Sequence, residues 1–109
     1  MDVRDRQRLE SLAGHAKKAL YYVGHGGPGW YTNDETVDAV MMQITQIAED
    51  ARRVSDETLA TIPEVPWRQV KGIREKIVHD YAFVDAEMIR QVVDQSLPDL
   101  IGAVERALK

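Results

Sequence analysis

Apolar residues recur along this chain with the period of an α-helix. Leu9, Leu12, Ala13, Ala16 and Leu20 fall at i, i+3, i+4, i+7 and i+11, one face of a helix over residues 3–23. The stretch Gly24-His25-Gly26-Gly27-Pro28-Gly29 ends it, because four glycines and a proline do not continue a helix. Thr32-Asn33-Asp34-Glu35 reads as a capping box with acids in the first turn. From there Val37, Val40, Met41, Ile44, Ile47, Ala48 and Ala51 carry helical period to about residue 54. Residues 55–66, with Pro63 and Pro66 around Glu64-Val65, read as a connector, and a shorter helix is predicted over residues 67–80. Asp85 stands as the N-cap of a last helix with the apolar face Met88, Ile89, Val92, Val93, Leu97, Ile101, Val104 and Leu108. Pro98 should kink or split it, since proline has no N–H and clashes with the preceding turn. No segment reads as a strand. The pattern predicts an all-α, up-and-down bundle of four to five helices, in a single domain over residues 1–109.

Composition narrows the chemistry. The chain has 109 residues, 44% hydrophobic and 29% charged, so it suits one globular core. It contains no cysteine, which excludes disulfides, thiolate catalysis and cysteine zinc sites and fits a reducing compartment. No apolar run approaches the ~20 residues of a membrane span, and the charged start Met1-Asp2-Val3-Arg4-Asp5-Arg6 is unlike a signal peptide. A soluble, cytoplasmic protein is expected. The net charge of −4 argues against whole-surface nucleic-acid binding. Its distribution is uneven. Residues 34–66 carry eight acidic and two basic side chains, whereas residues 67–83 carry four basic and two acidic ones. An anion-handling site belongs on that basic island.

Two familiar signatures fail on context. Gly24, Gly26 and Gly29 match G-x-G-x-x-G, but a helix precedes them and no helix follows at once, so an ordinary inter-helix loop is the better reading. His15, His25 and His79 lack the Glu-x-x-His spacing of bundle metal sites; no metal is expected, and His15 reads as half-buried or surface. The predicted helix over 67–80 is different. Val70, Ile73, Ile77, Val78 and Tyr81 form an apolar arc with Arg74 inside it. An arginine there pairs with a bundle carboxylate, snorkels, or faces a cleft or interface. His79 lies five residues on, roughly 140° round a regular helix. Either the helix ends or distorts near His79, or Arg74 reaches across, or a second chain completes the arrangement. Glu75, at i+4 from His79, could hydrogen-bond one imidazole nitrogen.

The run Pro66-Trp67-Arg68-Gln69-Val70-Lys71-Gly72-Ile73-Arg74-Glu75-Lys76-Ile77-Val78-His79-Asp80-Tyr81, followed by Val84-Asp85 and Leu97-Pro98-Asp99-Leu100, resembles the HepT-like branch of the HEPN superfamily. The hallmark of that family is Arg, four to six residues, then His, with a Tyr two positions further on in this branch; Arg74, His79 and Tyr81 match. The residue after the motif Arg is commonly a short polar one, and here it is Glu75. The resemblance implies a metal-independent endoribonuclease without a cofactor, the toxin of a toxin–antitoxin pair neutralised by a minimal nucleotidyltransferase. It implies Arg74 and His79 as catalytic residues and Tyr81 as an AMPylation site or RNA contact. It also implies a homodimer whose two motifs meet in one cleft; Arg74 in the apolar arc and the 140° offset likewise ask for a second chain, and Trp67 and the surroundings of Tyr81 are expected near that interface. Arg68, Lys71 and Lys76 would supply a positive field, with Glu75 orienting His79. The alternative is a non-catalytic helical module that serves as partner or substrate-binding unit of a nucleotidyltransferase.

Overall fold

The computed structural model describes residues 1–79 and 81–109. Helix α1 (Val3–Gly26) begins at Asp2, whose side chain accepts from the Arg4 N–H, and runs three residues into the glycine stretch. It stops at Gly27, where φ is +75°, a conformation glycine adopts without steric cost. Gly26 is required for a second reason: a Cβ there would lie 2.8 Å from the Cβ of Trp30. A short 3-10 turn, Trp30–Thr32, leads into α2 (Asp34–Arg53). The cap of α2 is Asn33, which accepts from the Thr36 N–H, and Thr32 belongs to the preceding turn.

The connector contains a helix that the hydrophobic pattern does not reveal. Helix α3 (Asp56–Ala60) is only five residues long, too short for periodicity to register. What holds it is a buried carboxylate on α1. Asp5 is 6% exposed and accepts hydrogen bonds from Ser55 Oγ (2.6 Å), Thr58 Oγ1 (2.6 Å) and the Ser55 N–H (3.1 Å). Ser55 Oγ in turn accepts from the Thr58 N–H and caps the helix. These bonds, the Ser55 hydroxyl first and Thr58 next, hold the Asp5 carboxyl below the usual carboxylate range. A depressed folded-state pKa stabilises the fold fully above the unfolded value of about 3.9, and that stabilisation is lost as pH falls through the folded value. Asp5→Asn is expected to melt at a lower temperature than wild type at pH 7, and the gap is expected to narrow at pH 3. Thermal circular-dichroism melts at the two pH values check this.

Helices α4 (Trp67–Lys71) and α5 (Ile73–Ile77) follow, separated at Gly72. Then comes a hairpin of β1 (Val78–His79) and β2 (Phe83–Val84), antiparallel with Val78 opposite Val84 and His79 opposite Phe83. The helix expected over residues 67–80 is therefore two short helices and a strand; its last expected residue, Asp80, lies outside the described residues. The β-branched pair Ile77-Val78 disfavours another helical turn, and Val78 adopts φ −81°, ψ 112°. The Asp85 N–H donates to the Ile77 carbonyl (2.8 Å) and closes the hairpin against the end of α5.

Asp85 caps α6 (Ala86–Gln91) through the Met88 N–H, as the sequence suggests. The path continues through a π-helical segment, Val92–Ser96, into α7 (Leu97–Leu108). Pro98 thus divides the last helix by a change of hydrogen-bond register: a π-turn removes the need for the bond that proline cannot donate. Helix α2 is central, packing on α1 and against α4 and α5, while α7 covers α1. Leu9, Leu12, Ile44, Ile47, Ile77, Ile89, Leu97 and Val104 are fully buried between them. The fold is an all-α bundle with a two-stranded hairpin at one corner.

Candidate functional site

The basic island occupies α4, α5 and the hairpin. Trp67 anchors it: the ring is buried, and its Nε1–H donates to the Ile62 carbonyl at 3.0 Å. Val70 and Ile77 are buried and Ile73 is partly so. These apolar contacts hold two short helices that could not persist alone.

Arg74 departs from its expected place. Gly72 inserts one non-helical residue (φ −107°, ψ 13°), and that shifts the phase of everything after it. Arg74 leaves the apolar side and is exposed, as are Glu75 and Lys76. Among the described residues no carboxylate pairs with its guanidinium. That exposure does not fit an arginine buried inside the bundle. The geometric difficulty with His79 resolves through the first of its three solutions. The helix ends at Ile77 and His79 continues in extended backbone, so the 140° helical offset no longer applies. The same ending removes the i, i+4 relation of Glu75 to His79, because only Glu75 is helical.

Tyr81 lies in the turn of the hairpin and not on a helical arc with Arg74. It is fully exposed, with φ 61°, and Ala82 follows at φ 129°. Positive φ at two successive non-glycine residues costs of order 1–3 kcal/mol each, a strain that concentrates at functional sites. Phe83 escaped the sequence reading. Opposite residues of an antiparallel pair project from the same face, so Phe83, 77% exposed, shares a face with His79. The signal was present in Val78-His79 and Phe83-Val84, but two-residue strands are too short to recognise by alternation.

Of the remaining cations, Arg68 is exposed, and Lys71 pairs with Asp56 (3.7 Å). The Lys71 carbonyl accepts from Arg52 Nη2 at 2.6 Å, which ties α4 to the end of α2. Gly24 and Gly26 lie inside α1, not in a loop. His15 is half-buried between α1 and α2, its Nδ1 2.7 Å from Gln43 Oε1 and its Nε2 3.9 Å from Asp50 Oδ2. His25 stacks on Tyr21, with ring centroids 4.8 Å apart. Among the described residues no cluster of three His, Asp or Glu side chains could hold a metal ion, and no helix is long and apolar enough to cross a membrane.

An all-α bundle with Arg74, His79 and Tyr81 on an exposed corner fits the HepT-like resemblance. The family described as Ribonuclease HepT-like matches residues 14–107, and the chain belongs to it. A protein of Thermococcus cleftensis named "Probable ribonuclease HepT" is 29% identical over 75 residues, which cover 69% of this chain and 68% of the relative. A Methanocaldococcus jannaschii protein named "Putative RNase" is 27% identical over 89 residues, covering 72% of this chain and 74% of the relative. No solved structure matches the chain significantly.

Proposed function

We propose that the chain is a metal-independent endoribonuclease in which Arg74 and His79 act on the scissile phosphate, and that it serves as the toxin of a toxin–antitoxin pair. The observation that carries this reading is the exposure of Arg74, with which no carboxylate among the described residues pairs, on the same corner as His79 and Tyr81. RNA brings its own nucleophile. The 2′-OH attacks phosphorus, the 2′-O–P bond forms as the P–O5′ bond breaks, and a 2′,3′-cyclic phosphate and a 5′-OH remain. Two protons must move, one off the 2′-OH and one onto the leaving oxygen. An imidazole, which can both accept and donate a proton, suits that work. The planar donor fork of Arg74 stabilises charge on the phosphoryl oxygens in the transition state. Each chain carries one such His, so a homodimer with the two motifs facing supplies both an acid and a base. Phe83 and Tyr81 offer aromatic faces for the flanking bases, within the field of Arg68, Lys71 and Lys76. A minimal nucleotidyltransferase antitoxin fits the exposed Tyr81 hydroxyl as its target. Cleavage is expected to persist in excess EDTA, measured on a labelled single-stranded RNA. Loss on chelation with recovery on adding a divalent ion would overturn the mechanism.

A further inference from the structure

A second basic surface lies away from the motif, where the first turns of α1 meet the end of α2. Arg4, Gln7, Arg8 and Ser11 stand at i, i+3, i+4 and i+7 and so share one face of α1. With Arg53 of α2 they line an open depression of about 410 Å³ to which no carboxylate contributes. Acids lie nearby: Asp2, Asp5, Asp56 and Glu57 line a neighbouring depression together with Arg4 and Arg53. Asp5 is held by Ser55 and Thr58 on the side of α3. Asp50 is buried beneath the depression, accepting from Ser11 Oγ (2.6 Å) with Arg8 Nη1 at 3.6 Å. Arg4 and Arg53 are exposed, and no carboxylate among the described residues pairs with either.

The end of α2 that carries Arg53 is also tied to α4, the helix before the motif. Arg53 follows Arg52, whose guanidinium bonds the Lys71 carbonyl (2.6 Å), and Lys71 stands three residues before Arg74. We propose that this face binds the phosphate backbone of single-stranded RNA and extends the footprint beyond the cleaved linkage. The inference rests on the ribonuclease reading above. An open depression ringed by guanidinium forks, with an amide and a hydroxyl between them, suits successive phosphates of a polymer better than an enclosed small anion. Arg4 and Arg8 precede residue 14, where the family match begins, whereas Arg53 lies within it.

The test measures the affinity of the full-length His79→Ala chain for a fluorescein-labelled single-stranded RNA, as a function of salt. The same chain with Arg4→Gln and Arg53→Gln is then compared. Each phosphate contact on a single strand contributes a slope of about 0.7 to log K against log[salt], so the double substitution is expected to reduce the slope by about 1.4. Binding should weaken uniformly across RNA sequences. The Arg4→Lys, Arg53→Lys pair is expected to restore most of the slope, since charge and not shape carries the contact. Melting curves establish that each variant is folded; if the double variant is not, the two single substitutions are each expected to lower the slope by about 0.7. An unchanged slope, with the His79→Ala chain still binding RNA and the wild type still cutting it, overturns this inference alone. A wild type that neither binds nor cuts RNA overturns the ribonuclease reading and this inference with it.

Discussion

His79→Ala is expected to lower the rate of RNA cleavage by about 10²- to 10⁴-fold, the range that a positioned general acid or base contributes. Arg74→Ala is expected to lower it by about 10²- to 10³-fold, through loss of a donor to the developing phosphoryl charge. Neither substitution should unfold the protein. Both side chains are exposed and project from a corner whose stability comes from Trp67, Val70 and Ile77 beneath. The far-ultraviolet dichroism should be unchanged, and single-turnover cleavage of a labelled RNA gives the rates. Arg74→Lys separates charge from geometry: the ammonium keeps the cation but loses the bidentate fork, so its rate should fall between those of wild type and Arg74→Ala. If this protein is a toxin, expression of the wild type alone arrests growth and His79→Ala relieves the arrest. Toxicity that survives the substitution would favour the non-catalytic module instead. An Arg74→Ala variant that loses its helical signal would contradict the exposed position of that residue.

Modification of Tyr81 is expected to have an effect of the same order. Tyr81→Phe removes only a hydroxyl contact and should cost activity modestly, because Arg74 carries most of the phosphate stabilisation. An AMP group on the same oxygen adds a nucleotide and a phosphate charge within the field of Arg74, Lys71 and Lys76, occupying the space and the charge that RNA requires. The position suits an enzyme-catalysed transfer. The ring is fully exposed, held out by a turn with positive φ at residues 81 and 82, so a nucleotidyltransferase can reach the hydroxyl without unfolding anything. Incubation with a cognate nucleotidyltransferase, ATP and magnesium should add one AMP per chain and abolish cleavage, by intact mass and by RNA assay. An adduct of equal yield on Tyr81→Phe would direct attention to Tyr21, which is 60% exposed, or to Tyr22 and Tyr31.

The long helices and their burial were legible in the order of residues alone. Periodic apolar positions marked the faces of α1, α2 and α7, and residues such as Leu12, Ile44 and Val104 are buried as that pattern requires. Caps at Asp85 and the break at Pro98 follow from side-chain and imide chemistry that acts within a few residues. The Arg–His–Tyr motif and the basic island could also be read there, because identity and spacing are properties of the chain. Tertiary structure decided the rest. Helix α3 exists through a carboxylate fifty positions earlier in sequence, which no local pattern encodes. The side on which Arg74 emerges depends on a phase shift at Gly72, and one non-helical residue is enough to move a side chain from an apolar arc to solvent. His79 and Phe83 share a face only because two pairs of residues meet across a turn, a contact too short to leave a period. Long elements announce themselves through repetition, whereas the candidate site is built from one-turn helices and two-residue strands whose geometry is set by what they pack against.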